Sequence, residues 1–294
     1  MRFCSLCYLW LMALSGCRPD MGQPAGYFGP TESMSEVVAA INANNNSLPT
    51  LRATGHFNAR FKEDSKTTPV DGEITVLYSR PRSMRMRATN IAVGEVFDIG
   101  SNDDRYWVII KPQDVMYWGV WDQVETVDRR RVPISPDLLL EVLPVQVVPD
   151  NFLLDPSPVM IFNNDRDAYV ISWQTMLSDR WIVRKQVWYD RATKLPTSVL
   201  LFDPHGRVLL RAYLSKHRQV EVAGIAREAW PKIPTQYDLL FTDSGSKLTM
   251  NLDREIAISG GTPAAPNARS FIFPREPSVM HVIPLDAPTT QERP

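Results

Sequence analysis

Over most of the chain, apolar and polar residues alternate with a period of two, which is typical of β-strands. Strand-like runs follow one another across residues 51–120, and Asn102-Asp103-Asp104 is one of the turn sequences between them. A second series of such runs covers residues 168–252. No helix-length insert separates the runs of the first series, so the pattern predicts antiparallel strands joined by tight turns.

Two short segments have helical periodicity instead. Ser33 to Glu36 match a capping box, and apolar residues then recur at helical spacing until Asn44-Asn45-Asn46. A second helix is predicted after Ser135, which suits the N-cap position, with Pro136 in the first turn and Pro144 at the end.

Several of the predicted strands lack a polar face, and Tyr106-Trp107-Val108-Ile109-Ile110 is apolar throughout. A curved sheet whose concave side is covered by helices, or faces a cavity, needs strands of this kind. The expected fold class is therefore mainly β, with about a dozen strands in one meander, a helix before it and another inserted midway. Residues 145–166 have no usable period and are predicted to be irregular.

The strand motifs occur in an order that is typical of bacterial LolA/LolB-like lipoprotein-carrier proteins. The matching segments are residues 51–57 and 72–74, Arg80 to Arg87, Val187 to Asp190, Leu195-Pro196 and Phe202 to Gly206. Over residues 34–258 the chain therefore resembles this family. The motifs are architectural, and the same fold also serves envelope-stress sensors and glycolipid-binding lipoproteins.

The resemblance implies an incomplete antiparallel β-barrel of roughly 11 strands, with helices covering its concave face and an apolar cavity for acyl chains. Each methylene buried in such a cavity contributes about 0.8 kcal/mol. The candidates for lining it are Met84, Met86, Phe97, Trp107, Ile109, Trp118, Trp173 and Trp181. The alternative is that these side chains fill an ordinary β core, because the sequence alone does not say which strand face points inward.

Family receptors also carry an exposed apolar loop that touches the bilayer. Ile91 and Val93 are the candidates for this membrane-contact loop. A simple hairpin turn is the alternative interpretation of the same residues.

The first residues have the pattern of a bacterial lipoprotein signal peptide. Arg2 precedes a run of about 11 apolar residues, which as a helix covers only about half of a ~30 Å hydrocarbon layer. Leu14-Ser15-Gly16-Cys17 then matches the lipobox, whose cysteine thiol accepts a diacylglycerol. The predicted organisation is a signal peptide (1–16), a tether (17–32), the carrier-like domain (33–260) and a mostly disordered proline-rich tail (261–294), in which residues 271–273 could dock.

Lipidation of Cys17 implies attachment to a membrane of the bacterial cell envelope. Arg18 follows, where an Asp would retain a lipoprotein in the inner membrane of enteric bacteria, so the outer membrane facing the periplasm is favoured. Several acyl chains on one residue make attachment nearly irreversible, which points to a fixed acceptor rather than a shuttling carrier. The expected partners are a lipid or an acylated lipoprotein, and a periplasmic carrier protein.

Other chemistry has little support in the sequence. A net charge of -1 with 22% charged residues gives no indication of nucleic-acid binding. The four histidines have no metal-ligand spacing, and nucleophile-elbow, Walker and dinucleotide motifs are absent. Asn163 to Asp167 lacks the final glutamate of a calcium loop, and the basic run at 128–131 is interpreted as a solvated surface, with lipid-phosphate contact as the alternative. No metal, cofactor or enzymatic activity is expected.

The leading hypothesis is a membrane-anchored, non-enzymatic protein that binds lipid or lipoprotein acyl chains in outer-membrane lipoprotein localisation or lipid transfer. The first alternative is a structural or sensory envelope lipoprotein that uses the same fold for protein–protein contacts. The second is an enzyme whose site matches none of the motifs above.

Overall fold

The computed structural model describes residues 29–63, 66–126, 132, 134, 136–143, 145–258, 266–275 and 277–285. The predicted signal peptide, Cys17 and most of the tether lie outside these residues. The same is true of Ser135, Pro144 and the basic run at 128–131.

Both predicted helices are present as α1 (Met34–Asn46) and α2 (Pro136–Val142). The capping box at the start of α1 is confirmed. The backbone N–H of Glu36 donates to Ser33 Oγ over 3.3 Å, and the backbone N–H of Ser33 donates to Glu36 Oε2 over 2.7 Å. These two bonds satisfy donors that a helix N-terminus otherwise leaves unpaired.

The strands before α2 are β1 (Thr50–Glu63), β2 (Lys66–Ser79), β3 (Ser83–Asn90), β4 (Gly94–Ser101), β5 (Arg105–Ile110) and β6 (Val115–Val120). Those after it are β7 (Ser157–Asn163), β8 (Ala168–Leu177), β9 (Arg180–Asp190), β10 (Pro196–Phe202), β11 (Val208–Ser215), β12 (Arg218–Gln219), β13 (Lys232–Ile233), β14 (Gln236–Phe241), β15 (Lys247–Asn251), β16 (Ile256–Ile258) and β17 (His281–Pro284). Short 3-10 helices cover Lys111–Gln113, Trp121–Thr126, Arg227–Ala229 and Ala268–Phe271.

Fifteen strands form one open sheet in the order β17-β6-β5-β4-β3-β2-β1-β15-β14-β11-β10-β9-β8-β7, and β16 also pairs with β1. Neighbouring strands are antiparallel, except that β17 lies parallel to β6. The remaining strands, β12 and β13, form a separate ribbon. The predicted mainly β, incomplete barrel with helices is confirmed, although the sheet has more than the roughly 11 strands expected.

Two parts of the prediction were wrong. Residues 157–163 were expected to be irregular but form β7, whose Pro158 is tolerated because β7 is the last strand of the sheet and needs fewer backbone donors. The tail was expected to be mostly disordered apart from a docking segment at residues 271–273, yet its 3-10 helix at Ala268–Phe271 packs beside β3 and β17 extends the sheet. The aromatic side chains of the tail supply the apolar area that holds it there.

One large apolar cluster explains how the sheet curves. It includes fully buried side chains from strands far apart in the sheet order, such as Tyr106 on β5 and Ile171 on β8, together with residues of both helices. A flat sheet of this width could not bring one face of both strands into a single core. The inner face of the curved sheet and the two helices therefore share this core.

Candidate functional site

The concave face of the sheet is the candidate site, and both helices cover it. Helix α1 contributes Val37, Val38 and Ile41 to the core that fills this face, and all three are buried. Helix α2 contributes four buried side chains, and Leu143 follows directly after it: Leu138, Leu139, Leu140, Val142 and Leu143. In this structure the concave face is thus occupied by the protein's own side chains.

The eight candidate cavity residues do not line one surface. Met84, Met86 and Phe97 are buried in the inner core, and Trp173 packs against the same core with part of its side chain accessible. Trp107, Ile109 and Trp118 belong to a second cluster on the outer face. Trp181 lies at the β8–β9 hairpin with 59% of its side chain exposed.

Alternation along β5 explains this division. Tyr106, Val108 and Ile110 belong to the inner core, whereas Trp107 and Ile109 point the other way. The outer pair would be exposed if the tail did not cover it. Because the tail is present, both faces of β5 are buried, which accounts for a strand without a polar face.

The outer cluster is closed by the tail. The ring of Phe273 lies edge-on to Trp107 at 5.6 Å between centroids and contacts Trp118 at 5.7 Å. Beneath them, Gly100 is required, because a Cβ atom there would come within 2.2 Å of Trp107 Cζ2. The Arg85 guanidinium also donates to the Ser270 carbonyl over 2.9 Å, while its other nitrogens bind the buried Asp98 carboxylate.

Helix α2 is attached to two distant parts of the sheet. It packs against β4 and β5, and the Glu141 carboxylate forms an ion pair of 2.9 Å with Lys185 on β9. The positive charge of Lys185 lowers the pKa of Glu141. The Lys185 ammonium also lies 5.7 Å from the centre of the Trp173 ring, a cation–π geometry. Helix α2 therefore spans the concave face from one arm of the sheet to the other.

Helix α1 is fixed at both of its ends. Before the helix, Glu32 accepts a hydrogen bond from the Tyr169 hydroxyl over 3.0 Å and pairs with Lys194, which lowers the pKa of Glu32. At the other end, the Arg80 guanidinium donates to the carbonyl oxygens of Asn45 and Val145. Arg80 thus joins the end of α1 to the segment that follows α2.

A shallow, open cleft of about 370 Å³ lies at one edge of the sheet, between β6 and β17. It is lined by Gln113, Val115, Tyr117, His281 and Ile283. Its openness distinguishes it from the enclosed acyl-chain cavity that the family resemblance implies.

The membrane-contact candidates Ile91 and Val93 lie in the turn between β3 and β4. Both side chains are exposed, Ile91 completely. The Asn90 side chain accepts hydrogen bonds from the backbone N–H groups of Ala92 and Val93, which holds the turn in shape. The structure therefore presents two apolar side chains to the surroundings at this turn.

No protein-family model matches this chain, and neither does any curated protein. Solved structures do resemble it. One is a candidate outer membrane lipoprotein-sorting domain from Vibrio parahaemolyticus, with 12% identity, a TM-score of 0.48 and an alignment that covers 81% of this chain and 95% of that one. Another is a LolA superfamily protein from Nitrosomonas europaea, with 12% identity, a TM-score of 0.47 and an alignment that covers 83% of this chain and 99% of that one. A DUF1329 family protein from Desulfovibrio piger is similar as well, with 12% identity, a TM-score of 0.49 and an alignment that covers 81% of this chain and 97% of that one.

The names of the first two structures match the family that the sequence motifs resemble. At this level of likeness they carry no information on what this chain binds.

The described residues contain neither a metal-ligand cluster nor a membrane-spanning helix. No group of three or more His, Cys, Asp or Glu side chains in that part of the chain could hold a metal ion. None of the helices found there is long and apolar enough to cross a membrane.

The sequence did not indicate the Glu141–Lys185 pair, because it joins residues 44 positions apart and no local pattern marks such a pair. It did indicate that residues 271–273 could dock, but not that Phe273 covers Trp107 and Trp118.

Proposed function

We propose that this chain is a lipid-anchored envelope protein that binds the acyl chains of a lipid or lipoprotein against the concave face of its sheet. In this role it takes part in outer-membrane lipoprotein localisation or lipid transfer. Cys17 carries the anchor, and no catalytic step is involved.

The observation that carries the proposal is the single apolar core that lines the concave face over the whole width of the sheet. The inner members of the candidate set, Met84, Met86 and Phe97, lie at its centre with almost no exposed surface. Methionine and aromatic side chains adapt to ligands of varied shape, so they suit acyl chains of different length. At about 0.8 kcal/mol per methylene, even one chain buried there competes with a membrane.

Acyl chains need space that α2 occupies in this structure. Leu139 and Val142 are each 1% exposed, so a ligand reaches the inner face only when α2 moves away. Helix α2 has seven residues, too few to be stable alone, so packing and the Glu141–Lys185 pair hold it in place. Binding is therefore a competition between α2 and the acyl chain for the same apolar surface.

The test measures saturable binding of a fluorescent diacylated peptide to the purified chain, and identifies copurified lipid by mass spectrometry. Glu141→Gln weakens the contact that holds α2, so we expect it to bind the peptide a few-fold more tightly than the parent. Asp167→Asn is the matched control, because Arg191–Asp167 is an ion pair of similar exposure at 2.6 Å, away from α2. A parent chain that neither copurifies with lipid nor binds the acylated peptide contradicts the proposal.

The alternative function, a protein–protein role for the tail, has less support. Its described residues are engaged with the chain's own sheet, through β17 on β6 and Phe273 on Trp107.

A further inference from the structure

The loop before β7 and the β8–β9 hairpin together expose an unusual amount of apolar surface. Five large side chains are involved, with exposed fractions in parentheses: Leu153 (91%), Leu154 (53%), Met176 (51%), Leu177 (44%) and Trp181 (59%). Met176 and Trp181 face each other directly across the hairpin. The Thr175 hydroxyl donates to Asp155 over 2.7 Å, which ties the loop to the hairpin. The five residues therefore lie close to one another at one end of the sheet.

Strand topology places this surface at the same end of the sheet as the Ile91–Val93 turn. In the sheet order from β3 to β8, each strand is antiparallel to the next, and the number of strand-to-strand pairings between these two strands is even. Strands β3 and β8 therefore run in the same direction, and the turns that follow them lie at the same end. We call it the apolar end, defined by Ile91, Val93 and the five residues of the loop and hairpin.

The opposite end has a different character. The turns after β2, β4, β7 and β9 lie there and consist largely of charged residues, amides and prolines: residues 80–82, 102–104, 164–167 and 191–195. None of the exposed large hydrophobic side chains found in the described residues lies in these four turns. The apolar end also carries polar turns at residues 111–114, 203–207 and 242–246. In the described turns of that end, the large exposed apolar side chains are therefore confined to the Ile91–Val93 turn, the loop before β7 and the β8–β9 hairpin.

We propose that the apolar end binds the interfacial region of a lipid bilayer, with the loop and hairpin as a second contact beside the Ile91–Val93 turn. The proposal rests on the proposed function, in which acyl chains pass between a membrane and the concave face. A bilayer fits better than a protein partner because the apolar residues occupy two places separated by polar turns such as Asp203 to Arg207. A flat, apolar surface contacts both places at once, whereas a protein partner needs one continuous patch.

The side chains of the hairpin agree with this occupant. Tryptophan is enriched where membranes meet water, and Arg180 beside Trp181 can reach lipid phosphates. Ser178 and Asp179 form the turn itself and are polar. Met176 and Trp181 share one face of the hairpin and Leu177 and Arg180 the other, so apolar side chains flank the turn on both faces.

The position of the N-terminal segment permits this orientation. Glu32 binds Tyr169 and Lys194 at the end opposite the apolar end, so the chain enters the domain there. The 13 residues from Cys17 to Gly29 span up to ~40 Å when extended, and β8 with its 10 residues measures about 33 Å. The tether is therefore long enough for the apolar end to reach the bilayer that holds the anchor.

The test uses the unlipidated chain from residue 18 onward, which keeps every described residue, and flotation with vesicles of phosphatidylethanolamine and phosphatidylglycerol. We expect the parent to float with the vesicles, and Leu153→Asp/Trp181→Asp to lower its partition at least about tenfold. Tyr213→Asp/Ile272→Asp is the matched control, because it adds two charges at side chains that are 53% and 60% exposed and lie away from the apolar end. We expect this control to change the partition less than about twofold.

Three results overturn the inference: a parent that does not float, a test variant that floats like the parent, and a control that loses as much binding as the test variant. A parent that fails to float but forms dimers through these residues assigns the surface to a second copy of the chain. The acylated-peptide assay contains no vesicles, so both variants should bind the peptide like the parent. Loss of peptide binding in the parent therefore concerns the proposed function, and loss of flotation alone concerns the apolar end.

Discussion

Adjacent residues of this chain serve opposite faces of the sheet. Tyr106 packs inward, with its ring centroid 5.0 Å from that of Trp121, while the next residue, Trp107, packs outward beneath Phe273. Their hydrophobicity is nearly the same, so the sequence pattern separates two alternating sets but does not tell which set lines the concave face. For this reason the predicted cavity set combined inner residues such as Met86 with outer residues such as Trp107.

His217 provides a test of a partly buried titratable group. Its Nε2 atom lies 3.0 Å from the carbonyl oxygen of Pro196, and burial lowers the pKa of the imidazole below its usual 6.5. The folded protein therefore favours neutral His217. This contribution to stability is complete above the unfolded pKa and decreases as the pH falls through that value toward the lower folded pKa.

We expect the melting temperature of the parent to decrease as the pH falls below about 7, and we expect His217→Gln to make this decrease smaller. His205 lies exposed in the β10–β11 turn, so His205→Gln is the control and should leave the profile unchanged. An unaltered profile for His217→Gln would rule out this role.

At the scale of the elements, strict alternation was the reliable signal. Strand β3 alternates almost perfectly between buried and less buried positions along its 8 residues. Strand β7 was missed because it contains Pro158 and because its apolar run from Val159 to Phe162 does not alternate, and only its position at the edge of the sheet makes the proline acceptable. The tail strand β17 was missed because its pairing with β6 depends on contacts far away in the sequence.

The tail allows a paired test of packing. Phe273 covers Trp107 and Trp118, so Phe273→Ala should lower the free energy of unfolding by about 2 kcal/mol, less than a fully buried phenylalanine would. Its neighbour Ile272 is 60% exposed, so Ile272→Ala should change the same quantity by less than about 0.5 kcal/mol. Urea unfolding of both variants measures the difference, and equal effects would show that the tail does not cover the outer cluster.

For the whole molecule, the sequence predicted the mainly β architecture, both helices and the exposed Ile91–Val93 turn. It also predicted helices over the concave face, but not that the side chains of α2 fill that face where a cavity was expected, because that depends on how strongly the sheet curves. The contact of α2 with β9 through Lys185 follows from the same curvature. A one-dimensional pattern contains no information on curvature.

The proposed anchor makes its own prediction at this scale. Cys17→Ser removes the thiol that accepts the diacylglycerol, so the chain should leave the tightly bound membrane fraction and lose the mass of the acyl groups. Cys7→Ser, within the predicted signal peptide, is the matched control and should remain anchored. Cell fractionation with mass spectrometry of the mature chain gives both results, and a Cys17→Ser variant that keeps its acyl groups contradicts the anchor.

The parallel pairing of β17 with β6 also sets an order of events during synthesis. Strand β6 is translated roughly 160 residues before β17. The backbone groups of β6 that bond to β17 therefore have no strand partner until the chain is nearly complete. At about 5–20 residues per second this interval lasts on the order of ten seconds. Throughout that time the unfinished sheet offers a free edge on which another chain can add a strand. The last segment to be made is thus the one that closes this route to aggregation.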